Sequence, residues 1–248
     1  MAKILGAVTT SHVPAIGNAI AKGLQNDPYW KPFFKGWDGV HAWLAKTKPD
    51  VAVVVYNDHG LQFFLDKLPT FAVGAAPAYR NADEGWGLPT LPPYRGNTDL
   101  SWHMIESLVA DEFDITTCQE MVVDHAFTLP LKLMWPALEV CPVATVPVAV
   151  NTVQHPLPTP TRCYKFGRAL GRAIASYPED LKVVLLGTGG LSHQLDEVID
   201  QAGTQGVEVI NWLIARAALG GTVREVHRNY HIPISNTASG IMVLANAA

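Results

Sequence analysis

The strongest constraint on this chain is a series of short, almost wholly apolar runs rich in valine, separated by stretches of helical length. Residues 4–8, 51–55, 144–150 and 183–186 hold such runs, and 240–244 a fifth. They are too short for buried helices, and β-branched side chains suit a pleated surface, so each reads as a strand covered on both faces. Between them, 37–45, 100–108, 163–176 and 206–218 repeat apolar residues at helical spacing, as in Phe166, Leu170 and Ile174 or Ile210, Leu213 and Ile214. Strands alternating with helices give the expected fold class: a single α/β domain over 1–248 with a central mixed β-sheet flanked by helices. At 248 residues and 48% hydrophobic composition, the chain can bury such a core. Proline and glycine punctuate 76–96 so heavily that this segment is expected to be a long surface loop at a site rim.

Composition removes several function classes. Charged residues are 16% of the chain and the net charge is −4, which suits neither a disordered chain nor a nucleic-acid-binding face. Cys118, Cys141 and Cys163 show no CxxC spacing, so a disulfide scaffold or cysteine-ligated zinc is not expected, and a reducing cytoplasm is. The apolar run at the N-terminus is too short for a signal peptide, and no stretch reaches the ~18 apolar residues of a membrane span. No GxSxG elbow or HExxH helix occurs. Gly187-Thr188-Gly189-Gly190 lacks the spacing and lysine of a phosphate loop, and reads as a tight turn that lets the chain approach a ligand closely.

Placement matters most among the nine histidines. His12, His59 and His193 each fall just past an expected strand, and His125 stands before an expected helix. In open α/β sheets, ligands collect at the carboxyl edge, so these residues can converge although distant in sequence. Any one of them alone would more often be an ordinary hydrogen-bonded histidine. Asp58 and Asp124 each precede a histidine, either to orient a ring or to cap the next turn, with capping the first reading for Asp58. His41, His103, His155 and His227 read as structural or solvent-facing, whereas His231 could line a pocket. Asp196, Glu197, Asp200, Glu208 and Glu225 are the late carboxylates. Glu208 stands out for its apolar neighbours: it is either a costly buried carboxylate needing a partner or an ordinary exposed helix glutamate.

The blocks SHVPA, PDVAVVVYNDH, ADEGWG, VDHAFTLPL, GTGGLSHQL, GVEVINWLIARAAL and YHIPISNTASG, in this order, resemble the class III extradiol ring-cleavage dioxygenases. Within that family, the likeness is greatest to the β-subunit type that cleaves protocatechuate at the 4,5 bond, and it runs through most of the chain. The resemblance implies an Fe(II) cofactor held by His12, His59 and Glu208 at the carboxyl edge of the strands. It implies an acid–base role for His193, a second pocket histidine in His125, and substrate contacts from Ser235, Asn236 and Asn57. The implied reaction consumes O2 and a catechol-type aromatic acid, protocatechuate first and gallate or 3-O-methylgallate next, to give a ring-opened semialdehyde. The implied partner is a small helical α subunit in a heterotetramer-type assembly, with no nucleic acid and no membrane. Two departures stand out: the connection between Gln194 and Val207 is shorter than the family's, and Ala126 replaces a usual glycine after Asp124-His125. The same ligand set would also serve a metal-dependent hydrolase, and a non-catalytic binding relative could keep the fold.

Overall fold

The computed structural model describes residues 1–85, 91–193, 207–232 and 237–247. In chain order the elements are β1 (Lys3–Thr10), α1 (Pro14–Ala21), α2 (Lys31–Lys35), α3 (Asp38–Thr47), β2 (Val51–Tyr56), β3 (Phe71–Gly74), β4 (Ala78–Asn81), β5 (Tyr94–Arg95), α4 (Thr98–Ala110), β6 (Thr116–Cys118) and β7 (Val122–Val123). They continue with α5 (His125–Met134), β8 (Ala144–Val150), α6 (Pro160–Ser176), β9 (Lys182–Thr188), β10 (Ser192–His193), α7 (Val209–Ala218), β11 (Val223–His231) and β12 (Thr237–Asn246).

The apolar runs become the middle of one mixed sheet, in the order β10-β12-β1-β9-β2-β8-β3-β6, with β11 paired on β12. β1, β9, β2 and β8 run parallel, while β12 lies antiparallel to β1 and β3 antiparallel to β8. Every residue of β2 and β8 is buried, because helices cover both sheet faces. Val51, Val53 and Val55 pack with Met104, Phe166 and Ile214 of α4, α6 and α7. Ala52, Val54 and Tyr56 face the other way, toward Ile16, Phe33, Val40 and Leu131 of α1, α2, α3 and α5. The two-residue alternation of a strand thus feeds two cores, and each fully buried valine or leucine contributes about 1.5–3 kcal/mol. α7 is set hard against α6: a Cβ on Gly171 would come within 2.1 Å of the Ala218 carbonyl oxygen.

Helix ends differ from the periodic segments for local reasons. α4 begins at Thr98 because Asn97 caps it, its Oδ1 accepting the Leu100 N–H at 3.0 Å. α6 begins at Pro160, where proline needs no N–H partner and Thr159 caps Arg162 N–H at 3.1 Å. α7 starts at Val209 rather than 206, which leaves Glu208 as its N-cap residue.

The expectation of one long loop over 76–96 is corrected. Within it, β4 and β5 form a second, three-stranded sheet with β7 in the order β5-β4-β7, and Tyr79 and Tyr94 are buried. Strands of two to four residues carry too little periodicity to be read in sequence; here their pairing register creates them. Residues 86–90 lie outside the described part of the chain. Among the described residues, no helix is long and apolar enough to cross a membrane.

Candidate metal centre

Three neighbouring parallel strands, β1, β9 and β2, end side by side, and the site is built on their carboxyl ends. His12 lies just past β1 and His59 just past β2, while Glu208 occupies the N-cap position of α7, its side chain making no capping bond.

His12 is 2% exposed. Its Nδ1 lies 3.1 Å from Thr188 Oγ1, and the Thr188 hydroxyl donates its own proton to the Ala126 carbonyl at 2.8 Å. Thr188 therefore accepts from His12, which places the ring proton on Nδ1 and the lone pair on Nε2. That buried Nε2 makes no hydrogen bond and faces Glu208 Oε2 at 3.4 Å. Burial lowers the His12 pKa, outweighing the opposite pull of Glu208, so the ring is neutral.

His59 donates through Nδ1 to Asp124 Oδ2 at 2.8 Å, and its backbone N–H reaches the same oxygen at 2.8 Å. Its Nε2 then faces Glu208 Oε1 at 3.6 Å. Burial works against a charged ring, but the hydrogen bonds and fields of Asp124 and Glu208 outweigh it and lift the His59 pKa to about 10. Burial likewise raises the Asp124 carboxyl, yet the His59 bond prevails and holds it below its usual range.

Glu208 is 1% exposed, which decides between its two sequence readings in favour of the buried, partnered carboxylate. Its Oε2 accepts the Gly190 N–H at 2.6 Å and its Oε1 accepts Asn57 Nδ2 at 3.0 Å. Asn211 holds Asn57 from behind, donating to its Oδ1 at 3.1 Å and to the Thr188 carbonyl at 2.8 Å. Burial pushes the Glu208 carboxyl upward, but hydrogen bonding and charge from His59 and the Gly190 N–H hold it well below the usual carboxylate range. The close approach at the glycine turn after β9 is to the protein's own chain: a Cβ on Gly189 would lie 2.5 Å from the Glu208 carbonyl oxygen.

His125 opens α5, with Asp124 as the N-cap accepting the Ala126 N–H at 3.0 Å. Its Nδ1 contacts Glu84 Oε2 at 2.5 Å, and its ring lies 4.3 Å from His59 and 5.5 Å from His12, centroid to centroid. One donor atom from each of these three histidines falls within 4.8 Å of the others. Asp58 caps as expected, accepting the N–H groups of Gly60, Leu61, Gln62 and Phe63. Asp124 both caps and orients, but the ring it orients is His59, not its sequence neighbour His125.

A cavity of about 370 Å³ opens beside His59, walled by Phe63, Leu68, Val150, Asn151 and Thr152. The His59 side chain is 25% exposed, against 2% for His12 and 1% for Glu208, so of these three it is the one most open to the cavity. Asn57 also lines this cavity but uses both ends of its amide within the protein, on Glu208 and Asn211. His193 is placed by its backbone in β10, opposite Thr237 of β12; its side chain lies outside the described residues. So do Ser235, Asn236, Asp196, Glu197 and Asp200. Glu225 pairs with Arg228 on the surface of β11 at 3.7 Å. His41, His227 and His231 bond the carbonyls of Leu133, Gly36 and Tyr29, His103 meets the Ser176 hydroxyl, and His155 is exposed. Sequence reasoning missed Thr188, Gly190, Asn211 and Glu84, whose roles exist only through contacts across the fold.

Two imidazoles and one carboxylate, converging with a buried ring nitrogen that lacks a hydrogen bond, form a donor set suited to a small divalent metal ion. Fold and site together define an α/β protein whose strand ends carry a cluster of potential metal donors. The comparisons with known proteins are more specific. The family described as the catalytic LigB subunit of aromatic ring-opening dioxygenase matches residues 6–198, and the chain belongs to that family. Gallate dioxygenase of Pseudomonas putida is 39% identical over 66% of this chain and 58% of its own length. The 2,3-dihydroxyphenylpropionate/2,3-dihydroxicinnamic acid 1,2-dioxygenase of Photorhabdus laumondii is 39% identical over 84% of this chain and 61% of its own. The chain thus spans less than two thirds of the length of these curated relatives. A solved structure of an uncharacterised Escherichia coli K12 protein has a TM-score of 0.58 at 14% identity, covering 97% of this chain and 99% of that one. At that identity it shares the fold alone.

Proposed function

We propose that this chain is the catalytic part of an Fe(II)-dependent extradiol dioxygenase acting on a catechol-type aromatic acid, with protocatechuate 4,5-cleavage the first candidate and gallate or 3-O-methylgallate next. The observation that carries the reading is the convergence of His12 Nε2, His59 Nε2 and the Glu208 carboxylate in a member of this family. These three residues would hold the iron. Bound there, iron supplies open positions for both catechol oxygens and O2, and a path for electrons between them.

The protein's own part is to fix the donors, orient the ring and move protons. Thr188 and Asp124 set which nitrogen each ligand histidine presents, while Gly190 and Asn57 hold the carboxylate. Phe63, Leu68 and Val150 give the cavity apolar walls against which an aromatic ring can pack while water is displaced. His193 accepts a proton from one catechol hydroxyl and returns it as the ring opens, with His125 beside the cluster as the second pocket histidine. Ser235 and Asn236 contact the substrate; Asn57 acts mainly through Glu208. Both oxygen atoms end in the product, one in the aldehyde and one in the new carboxylate. Free thiols at Cys118, Cys141 and Cys163 suit a cytoplasmic setting. A small helical α subunit completes the enzyme, and exposed Phe64 and Leu65 at the cavity offer it an apolar footing.

The test is anaerobic loading with Fe(II), then O2 uptake across a panel of catechols with and without an α chain. One O2 consumed per ring opened, with a yellow product, is the expected result. An iron-loaded protein that consumes no O2 with any catechol, partner present, would sink the reading.

A further inference from the structure

Glu84 and His125 stand in two of the sequence blocks quoted above, but the contact between them has no part in the ligand set. Glu84 reaches His125 through strand register. β4 runs parallel to β7, pairing Arg80 with Val122 and Asn81 with Val123, and the Ala82 N–H continues the ladder to the Val123 carbonyl at 2.8 Å. The two segments leave the small sheet together, so residues 82–84 run beside Asp124 and His125. At the end of β4, Asn81 Nδ2 donates to the Leu91 carbonyl at 2.9 Å. Asp83 Oδ1 accepts the Gly85 N–H at 3.1 Å, which shapes the turn around Glu84.

We propose that Glu84 is a positioning residue for His125, fixing that ring so that its nitrogen remote from Glu84 is presented to the metal-site cluster. The role rests on the dioxygenase reading only for its catalytic consequence. Glu84 Oε2 lies 2.5 Å from His125 Nδ1, and the two side chains are 11% and 4% exposed. A carboxylate this shielded makes a charge-assisted bond that solvent does little to weaken. The ring's two nitrogens point to opposite sides, so anchoring Nδ1 on Glu84 turns Nε2 the other way. The same device appears one residue earlier, where Asp124 anchors Nδ1 of His59. Two carboxylate–imidazole pairs thus stand side by side with rings 4.3 Å apart and tilted by 32°. The Asp124 pair anchors His59; the Glu84 pair anchors His125, whose ring stands against the same cluster. Glu84 therefore makes the end of β4 a working part of the site rather than only its rim.

The experiment compares wild type, Glu84→Ala and Glu84→Gln in the iron-loaded protein, with iron stoichiometry measured for each. Glu84→Ala should keep its iron and a KM within twofold, and lose kcat by about 10–100-fold. Glu84→Gln should recover most of that loss, since an amide oxygen still accepts the Nδ1–H. A second arm reads the ring directly in metal-free, 15N-histidine-labelled protein. A hydrogen-bonded Nδ1–H resonance of His125, assigned through His125→Asn, should appear in wild type and Glu84→Gln and vanish in Glu84→Ala. Unchanged kcat in Glu84→Ala, loss of iron matching the loss of rate, or a Glu84→Gln as impaired as Glu84→Ala would overturn the proposal. So would a ring resonance that persists in Glu84→Ala. If wild type consumes no O2 with any catechol, the dioxygenase reading falls while the ring resonance still decides the role of Glu84.

Discussion

Replacing Asp124 with asparagine preserves shape while removing the charge that anchors His59. Asp124 is fully buried and accepts three N–H groups: His59 N and Nδ1 at 2.8 Å each on Oδ2, and Ala126 N at 3.0 Å on Oδ1. Asparagine has one oxygen for these two positions. With its oxygen toward His59, both bonds there survive as neutral ones, each weaker by about 1 kcal/mol. The amide group then confronts the Ala126 N–H, and the lost cap costs about 1 kcal/mol more. With the amide reversed, two buried donors face an NH2 group, at about 1–3 kcal/mol each, so the first arrangement sets the floor. Asp124→Asn should therefore destabilise the metal-free protein by about 3 kcal/mol, the sum of those three losses. Urea unfolding with linear extrapolation measures this, and competition against a chelator should show Fe(II) affinity down by about 10–100-fold. A stability change under ~1 kcal/mol together with unchanged affinity would refute the charged-anchor account.

Glu208→Ala should abolish tight Fe(II) binding, read as metal stoichiometry after desalting; retained iron would move the third ligand to another residue. His193→Ala should keep iron and lose turnover by roughly 10²–10⁴-fold, and near-normal rates in the loaded variant would remove His193 from the chemistry. The His59 pKa rises from 6.5 unfolded to about 10 folded, so its contribution to metal-free stability is complete below pH 6.5 and lost as pH climbs through about 10. Iron must displace that proton, so apparent Fe(II) affinity should rise about tenfold per pH unit below that value, with proton release seen by calorimetry in buffers of different ionisation enthalpy. Affinity independent of pH between 6.5 and 8.5 would contradict the assignment.

The parallel middle of the sheet was legible because β2 and β8 are buried at every position, which forces a continuous apolar run. His12 and His59 were legible for a related reason: residues just past such runs must emerge at one edge. The small sheet was not, since β5 and β7 have two residues each and exist only through pairing with β4. Side-chain partners were the least legible part. Adjacency in sequence joins Asp124 to His125, yet the helix start points the carboxylate back to His59, and His125 finds Glu84 across the small sheet instead. Glu208 lay open between two readings until packing of α7 against β9 placed it inside.

The packing of α7 has a consequence for how this scaffold can change over time. Glu208 reaches the cluster because its helix is pressed against α6 at Gly171 and because Gly189 lets the chain lie directly beside it. The Glu208 carboxylate is therefore located by what its helix touches, not by how many residues lead to it from β10. Loop-closure entropy grows slowly with length, so that connection can gain or lose residues at small thermodynamic expense. The connection from Gln194 to Val207, as this sequence has it, is compatible with the carboxylate position seen here. In such a design the connection is the part free to diversify, while the two glycine contacts are the part that cannot.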